Sequence, residues 1–248
     1  MAPLFTNNRS IETIKVEEQF EKVTNTYSQL NDRYQILING RIDRVDRIKN
    51  TELLGVVDYK SGKGDDFKYD KFFNGLNSQL PTYLSALKKL NDQNLFGAMY
   101  LPLTLPIIRL KGALDLSKAA TQTQNQLKYN GLFLEKQVSQ LGDFYKKSKA
   151  YHLTEEELQI LIDYNDFLYK KAAEKILKGE FSINPYTKDG KSIDSVVQQH
   201  QAITGFEANY HLGQARFLKK LDPALGTKLK DEKLKNAWFN QIREELKK

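Results

Sequence analysis

The stretch from Ile36 to Gly64, ILINGRIDRVDRIKNTELLGVVDYKSGKG, constrains the fold more than any other part of the chain. Residues 36–48 and 53–60 are rich in Ile, Leu, Val and Tyr, as strands are, and the polar run Lys49-Asn50-Thr51-Glu52 between them reads as a short turn. A turn centred between Asn50 and Thr51 makes paired positions sum to a constant. Asp43 then lies opposite Asp58 and Arg41 opposite Lys60, and the strand period of two puts Asp43, Asp58 and Lys60 on one face. A slip of one residue would send the two acids to opposite faces.

Like charges facing each other across a strand pair are destabilising, and more so beside an apolar sheet. A divalent cation turns that penalty into a site, because Mg²⁺ takes one or two carboxylates, keeps several waters and expects phosphate oxygens for the rest of its shell. Lys60, two residues beyond Asp58 on the same side of the strand, would stand beside the metal-bound water and the phosphate it attacks. Asp-x-Lys alone carries little information, since Asp66-Lys68, Asp189-Lys191 and Asp231-Lys233 also occur and read as solvated charges. Asp58 differs in following the apolar run Leu53 to Val57 and in having a partner acid on the neighbouring strand.

Gly40-Arg41-Ile42-Asp43-Arg44-Val45-Asp46, Val57-Asp58-Tyr59-Lys60-Ser61-Gly62 and Gln79-Leu80-Pro81-Thr82-Tyr83 follow one another along the chain. In order and spacing they resemble the G-x-I-D-R, D-Y-K-[ST] and Q-x-x-x-Y motifs of RecB-like nucleases in the PD-(D/E)xK superfamily. Within that group the chain is most similar to the C-terminal nuclease domains of AddB/RexB-type subunits of AddAB/RexAB helicase–nucleases. Weaker similarity continues through Asn184-Pro185-Tyr186 to about residue 218. The resemblance implies an α/β fold in which helices flank a mixed central sheet, a restriction-endonuclease-like core, with a helical C-terminal extension. The expected division is a nuclease core over residues 1–180 and an extension over 181–248.

The resemblance further implies a Mg²⁺-dependent DNA exonuclease acting in double-strand break repair and recombination, with Mn²⁺ able to substitute. Asp43 and Asp58 would hold the ion, with the Tyr59 carbonyl as a further ligand, and Lys60 would steady the water or the developing phosphorane charge. Gln79 and Tyr83 are implied to orient the lysine or contact a DNA phosphate. The expected partners are a DNA strand delivered by a helicase and the A subunit, AddA/RexA. RecB-like domains also draw a histidine ligand from a helix upstream of the first strand. Here ten residues, Met1 to Ser10, precede that strand and no histidine comes before His152, so a weak nuclease is expected, unless Glu17 or Glu18 completes the shell. Two other readings stay open: a catalytically silent DNA-binding or scaffold module, and a glycosidase using two carboxylates. Metal binding through Asp43 and Asp58 separates the nuclease from the glycosidase, and a basic chain with a lysine beside the acids suits phosphate better than sugar.

Composition narrows the classes. A net charge of +7 over 248 residues favours a polyanionic partner. With 40% hydrophobic residues and no apolar run near the length of a span, the chain reads as soluble, without membrane span or secretory signal, and cytoplasmic. The absence of cysteine rules out disulfides, thiolate zinc and a Cys-ligated iron–sulfur cluster within the chain. Many AddB-type domains carry cluster cysteines where this sequence has residues 196–206, which places it with the cluster-free RexB type. Packing by Val197, Ile203 and Phe206 is expected to take over the cross-linking role. No P-loop is present, so ATP hydrolysis is not expected.

Along the chain, Ile11 to Phe20 alternates as a strand, and Ser61 to Lys71 reads as a loop whose Lys63, Lys68 and Lys71 could track a nucleic-acid backbone. Ser78 to Leu90 has helical spacing, which puts Gln79 and Tyr83 on one face. Leu95 to Leu103 reads as a buried strand closing the sheet, Thr121 to Gln126 as a loop, and Leu127 to Leu134 as a short strand or helix. Thr154-Glu155-Glu156-Glu157 predicts a capping box opening a helix that runs to about Lys178, with Tyr164, Phe167, Leu168 and Ile176 in the core. His152, His200 and His211 lack ligand-like spacing and are expected to serve surface or capping roles. Lys228 to Lys248 predicts a basic amphipathic helix that docks on the domain or on a partner.

Overall fold

The computed structural model describes residues 10–24, 33–61, 67–91, 94–103, 116–126, 128–142, 145, 151–188, 191–192, 199–221 and 231–248. Six strands, β1 (Ile11–Thr24), β2 (Ile36–Ile48), β3 (Leu54–Lys60), β4 (Leu95–Pro102), β5 (Asn130–Leu134) and β6 (His152–Leu153), form one sheet in sequence order. β1, β2 and β3 are successively antiparallel, β4 runs parallel to β3, β5 antiparallel to β4, and β6 parallel to β5. Leu95 to Pro102 therefore does not close the sheet, because β5 and β6 lie beyond it.

The β2–β3 register follows the expected constant sum, from Arg47 opposite Leu54 to Arg44 opposite Val57. Ile48 donates its N–H to the Leu53 carbonyl at 3.1 Å, and Asn50 takes the left-handed conformation (φ 61°) that asparagine tolerates in a turn. A parallel neighbour requires a crossover, so the chain leaving β3 passes over one face of the sheet before it returns as β4. That crossover contains α1 (Tyr69–Phe73) and α2 (Gln79–Asn91), and it brings Gln79 and Tyr83 over the ends of β2 and β3.

The helical face buries Val45, Val56, Leu80, Leu84 and Leu87 together with residues of α4 (Glu155–Leu177) and α7 (Asp231–Leu246). The opposite face buries Val57, Phe96, Met99, Tyr129, Phe133 and Tyr145. α4 opens on the expected capping box: Thr154 Oγ1 accepts the Glu157 N–H at 3.1 Å and Glu157 accepts the Thr154 N–H at 2.8 Å. Gly179 ends the turn that follows at φ 70°. α7 docks on the domain itself, with Trp238, Phe239 and Ile242 buried against α1 and α4.

Several local expectations are corrected. Thr121 to Gln126 is helical, within α3 (Leu116–Gln126), where the Thr121 and Thr123 hydroxyls donate to the carbonyls of Ser117 and Ala119 one turn back. Lys71 is helical, because Phe72 and Phe73 need a buried face. Ile176 is 60% exposed where α4 runs past the core. Beyond α4, β7 (Tyr186–Lys188) pairs with β8 (Lys191–Ser192) and with β9 (Arg216–Phe217), and α5 (Gln201–Thr204) and α6 (Ala208–His211) lie between β8 and β9 in the chain. There Phe206 is buried, but Ile203 is 83% exposed, while Val197 lies outside the described residues.

Candidate active site

The β2–β3 ladder ends at Arg44 opposite Val57, one pair short of the two acids. Beyond it the Asp43 side chain takes over: its Oδ2 accepts the backbone N–H of Tyr59 at 2.9 Å. Asp58 is buried, and Lys60, Gln79 and Asp58 close a ring of short contacts. Lys60 Nζ lies 2.8 Å from Asp58 Oδ2 and donates to Gln79 Oε1 at 2.7 Å, and Gln79 Nε2 donates to Asp58 Oδ1 at 2.7 Å. The same Gln79 amide reaches the Tyr83 hydroxyl at 3.0 Å. All of the sequence-predicted site residues, Asp43, Asp58, Tyr59, Lys60, Gln79 and Tyr83, thus stand within one connected cluster.

Two supporting residues lie outside the three motifs, and a third is the arginine that ends the first of them. Phe20 on β1 sits directly opposite Gly40, where a Cβ would lie 2.6 Å from its ring, so Gly40 makes room for Phe20. Phe20 in turn packs edge-on against Tyr83, with ring centroids 5.8 Å apart. Tyr100 on β4 places its ring 4.9 Å from Lys60 Nζ and supports the ammonium from beneath. The third, Arg44, lies on the opposite face and bonds Asp46, Tyr129 and Tyr59.

Electrostatics follow from burial. Burial is the largest cause that raises the Asp58 pKa; the Asp43 charge adds to it, and Lys60 only partly offsets the two. Burial, followed by the charges of Asp58 and Asp43, also raises the Tyr83 hydroxyl, which therefore stays a proton donor at neutral pH. Asp58 Oδ2 is buried and receives no well-aligned hydrogen bond, its Lys60 contact being an ion pair. A buried carboxylate oxygen of this kind beside a second carboxylate is a hard, anionic donor set that fits Mg²⁺ or Mn²⁺.

Among the described residues no group of three or more His, Cys, Asp or Glu side chains forms a metal cage. Glu17 pairs with Arg41 at 2.6 Å and Glu18 with Lys15 at 2.7 Å. His211 Nδ1 accepts the Glu207 N–H at 3.0 Å, a local turn role. Lys68 and Lys71 are exposed, and Lys63 lies outside the described residues.

The sequence of residues 3–191 matches the PD-(D/E)XK nuclease superfamily. This chain belongs to that superfamily. The mixed six-stranded sheet with helices against it is its restriction-endonuclease-like fold. Among similar proteins, the B subunit of the ATP-dependent helicase/deoxyribonuclease of Streptococcus pneumoniae (strain ATCC 700669 / Spain 23F-1) is 58% identical over 240 residues, covering 97% of this chain and 22% of that protein. The exonuclease/helicase subunit RexB of S. pneumoniae serotype 4 is 57% identical over the same share of each chain. The equivalent ATP-dependent helicase/deoxyribonuclease polypeptide of Streptococcus suis (strain 05ZYH33) is 41% identical over 222 residues, covering 88% of this chain and 20% of that protein. This PD-(D/E)XK chain therefore spans about a fifth of the length of the relatives it matches.

Proposed function

We propose that this chain is a Mg²⁺-dependent DNA exonuclease domain, with Mn²⁺ able to substitute, in the B subunit of a helicase–nuclease acting in double-strand break repair and recombination. The observation that carries the reading is the Asp58–Lys60–Gln79 ring beside Asp43, which sets a buried carboxylate next to a second one at a cost that a bound cation would offset. Asp43 and Asp58 would hold the ion, with the Tyr59 carbonyl as a further ligand. When bound, the ion lowers the pKa of a coordinated water and offsets phosphate charge.

The protein's own groups do the rest. Gln79 bridges both neighbours: its carbonyl oxygen accepts from Lys60 Nζ and its amide donates to Asp58 Oδ1, so it would hold the lysine and the carboxyl group in fixed positions. Lys60 supplies a cation at the edge of the acids, and the Tyr83 hydroxyl offers a proton to a phosphate oxygen. The net charge of +7 and the names of the relatives support DNA as the substrate, a helicase-delivered strand as its form, and an AddA/RexA-type A subunit as the partner in the cytoplasm. Residues 1–180 would form the nuclease core and 181–248 an extension packed on it.

Digestion of single- and double-stranded DNA with Mg²⁺, Mn²⁺ or EDTA tests the reading. Cleavage that needs the metal and disappears in Asp58→Ala is the expected result. Metal-bound chain that cleaves neither substrate, alone or with the A subunit, leaves the silent scaffold as the better reading.

A further inference from the structure

Arg44 faces away from the acids, on the opposite surface of the two strands that carry them. Its guanidinium donates to Asp46 Oδ2 at 2.7 Å, to the hydroxyl of Tyr129, just before β5, at 2.8 Å and to the Tyr59 hydroxyl at 3.1 Å. Thr13 of β1 completes the set by donating to Asp46 Oδ1 at 2.9 Å. Three strands, β1, β2 and β3, and the residue that leads into β5 therefore meet at one buried ion pair beneath the site.

Tyr59 is the point at which this cluster reaches the front face. It stands between Asp58 and Lys60, its ring is held from behind by Arg44, and its N–H is the donor that Asp43 accepts. Because the backbone ladder stops at Arg44 opposite Val57, the described links between β2 and β3 beyond that pair run through Tyr59: one through its hydroxyl and one through its amide. Releasing the hydroxyl removes one of these two links and leaves the peptide that Asp43 accepts from held on the other side by the β3–β4 ladder, where Tyr59 lies opposite Leu101.

We propose that Arg44 is a positioning residue which, through the Tyr59 hydroxyl, fixes the Tyr59 amide and so sets the spacing of Asp43 and Asp58 for a divalent cation. The inference rests on the reading of those acids as the metal site. Partners that orient ligating groups from outside are worth about 10–100-fold in metal affinity.

Tyr59→Phe is the informative variant. It deletes one hydrogen bond and leaves Arg44 paired with Asp46 and Tyr129, whereas Arg44→Ala would strand the buried Asp46 carboxylate and threaten the fold. Two measurements are made on the 248-residue chain. In EDTA, amide hydrogen exchange at residue 59 should accelerate about tenfold or more while the Val56 and Val57 amides keep their wild-type rates. In a Mn²⁺ calorimetric titration, affinity should fall by about 10–100-fold.

A variant that binds Mn²⁺ as the wild type does, or whose residue 59 amide is unchanged, overturns the positioning role and leaves the metal site standing. Uniformly faster exchange across β2 and β3 with a lowered melting temperature makes the cluster a general structural strut and also overturns it. A wild-type chain that takes up no Mn²⁺ overturns the metal-site reading itself, and the positioning role with it.

Discussion

Asp58 is where stability and chemistry pull against each other. Burial and the neighbouring Asp43 hold its carboxyl above the ordinary value of 3.8, so the folded chain binds that proton more tightly than the unfolded chain does. Stability is then fullest at low pH and is lost as pH rises from 3.8 through the raised folded value. In EDTA, Asp58→Asn should melt above the wild type at pH 7, with the gap closing as pH falls towards 3.8, and it should lose metal-dependent cleavage at every pH. A variant that melts well below the wild type would make Asp58 structural. Gln79→Ala removes the acceptor of Lys60 and a donor to Asp58 without creating a large void, since Gln79 is half-buried. Its turnover should fall by roughly 10–100-fold with a melting temperature close to wild type. The acids and the lysine were legible because strand periodicity and one turn fix a register between near neighbours in sequence. Arg44–Tyr129 and Phe20–Tyr83 were not, because each contact depends on where a distant segment is laid down.

At the scale of elements, α4 was readable to within a residue at each end, because a capping box and a terminal glycine are local signals. Thr154→Ala should cost about 1 kcal/mol in urea denaturation, the ordinary worth of an N-cap. The second capping residue has a further partner that local reasoning could not supply: Lys235 of α7 lies 3.0 Å from Glu157 and donates to the His152 carbonyl at 2.9 Å. Both members of that pair are largely buried, so Lys235→Ala strands the Glu157 carboxylate and should cost roughly 3–5 kcal/mol. Equal urea midpoints for the wild type and Lys235→Ala would show that solvent takes over the bond. α3 escaped notice for the opposite reason. Its Gln and Thr residues look like a loop by composition, and only the back-bonded hydroxyls reveal how they are accommodated in a helix.

At the scale of the molecule, residues 231–246 complete the core that backs the site. Trp238 is the single tryptophan of the chain and is buried, with its ring 5.4 Å from Phe73. Its fluorescence should be blue-shifted in the native state and shift red when α7 undocks, and Trp238→Ala should cost about 3–5 kcal/mol in urea denaturation. A native spectrum already characteristic of solvent-exposed indole would contradict the docking of α7. The docking has a consequence for synthesis. Phe73 and Trp238 meet across 165 positions of sequence, and contacts that distant must wait until both ends exist and pay the full loop entropy before they return anything. A nascent chain that has passed residue 100 already carries Asp43, Asp58, Lys60, Gln79 and Tyr83, yet lacks α4 and α7, the helices that hold their sheet in shape. Truncated or stalled polypeptides therefore possess every residue of the acid–lysine cluster without the frame that holds it in shape.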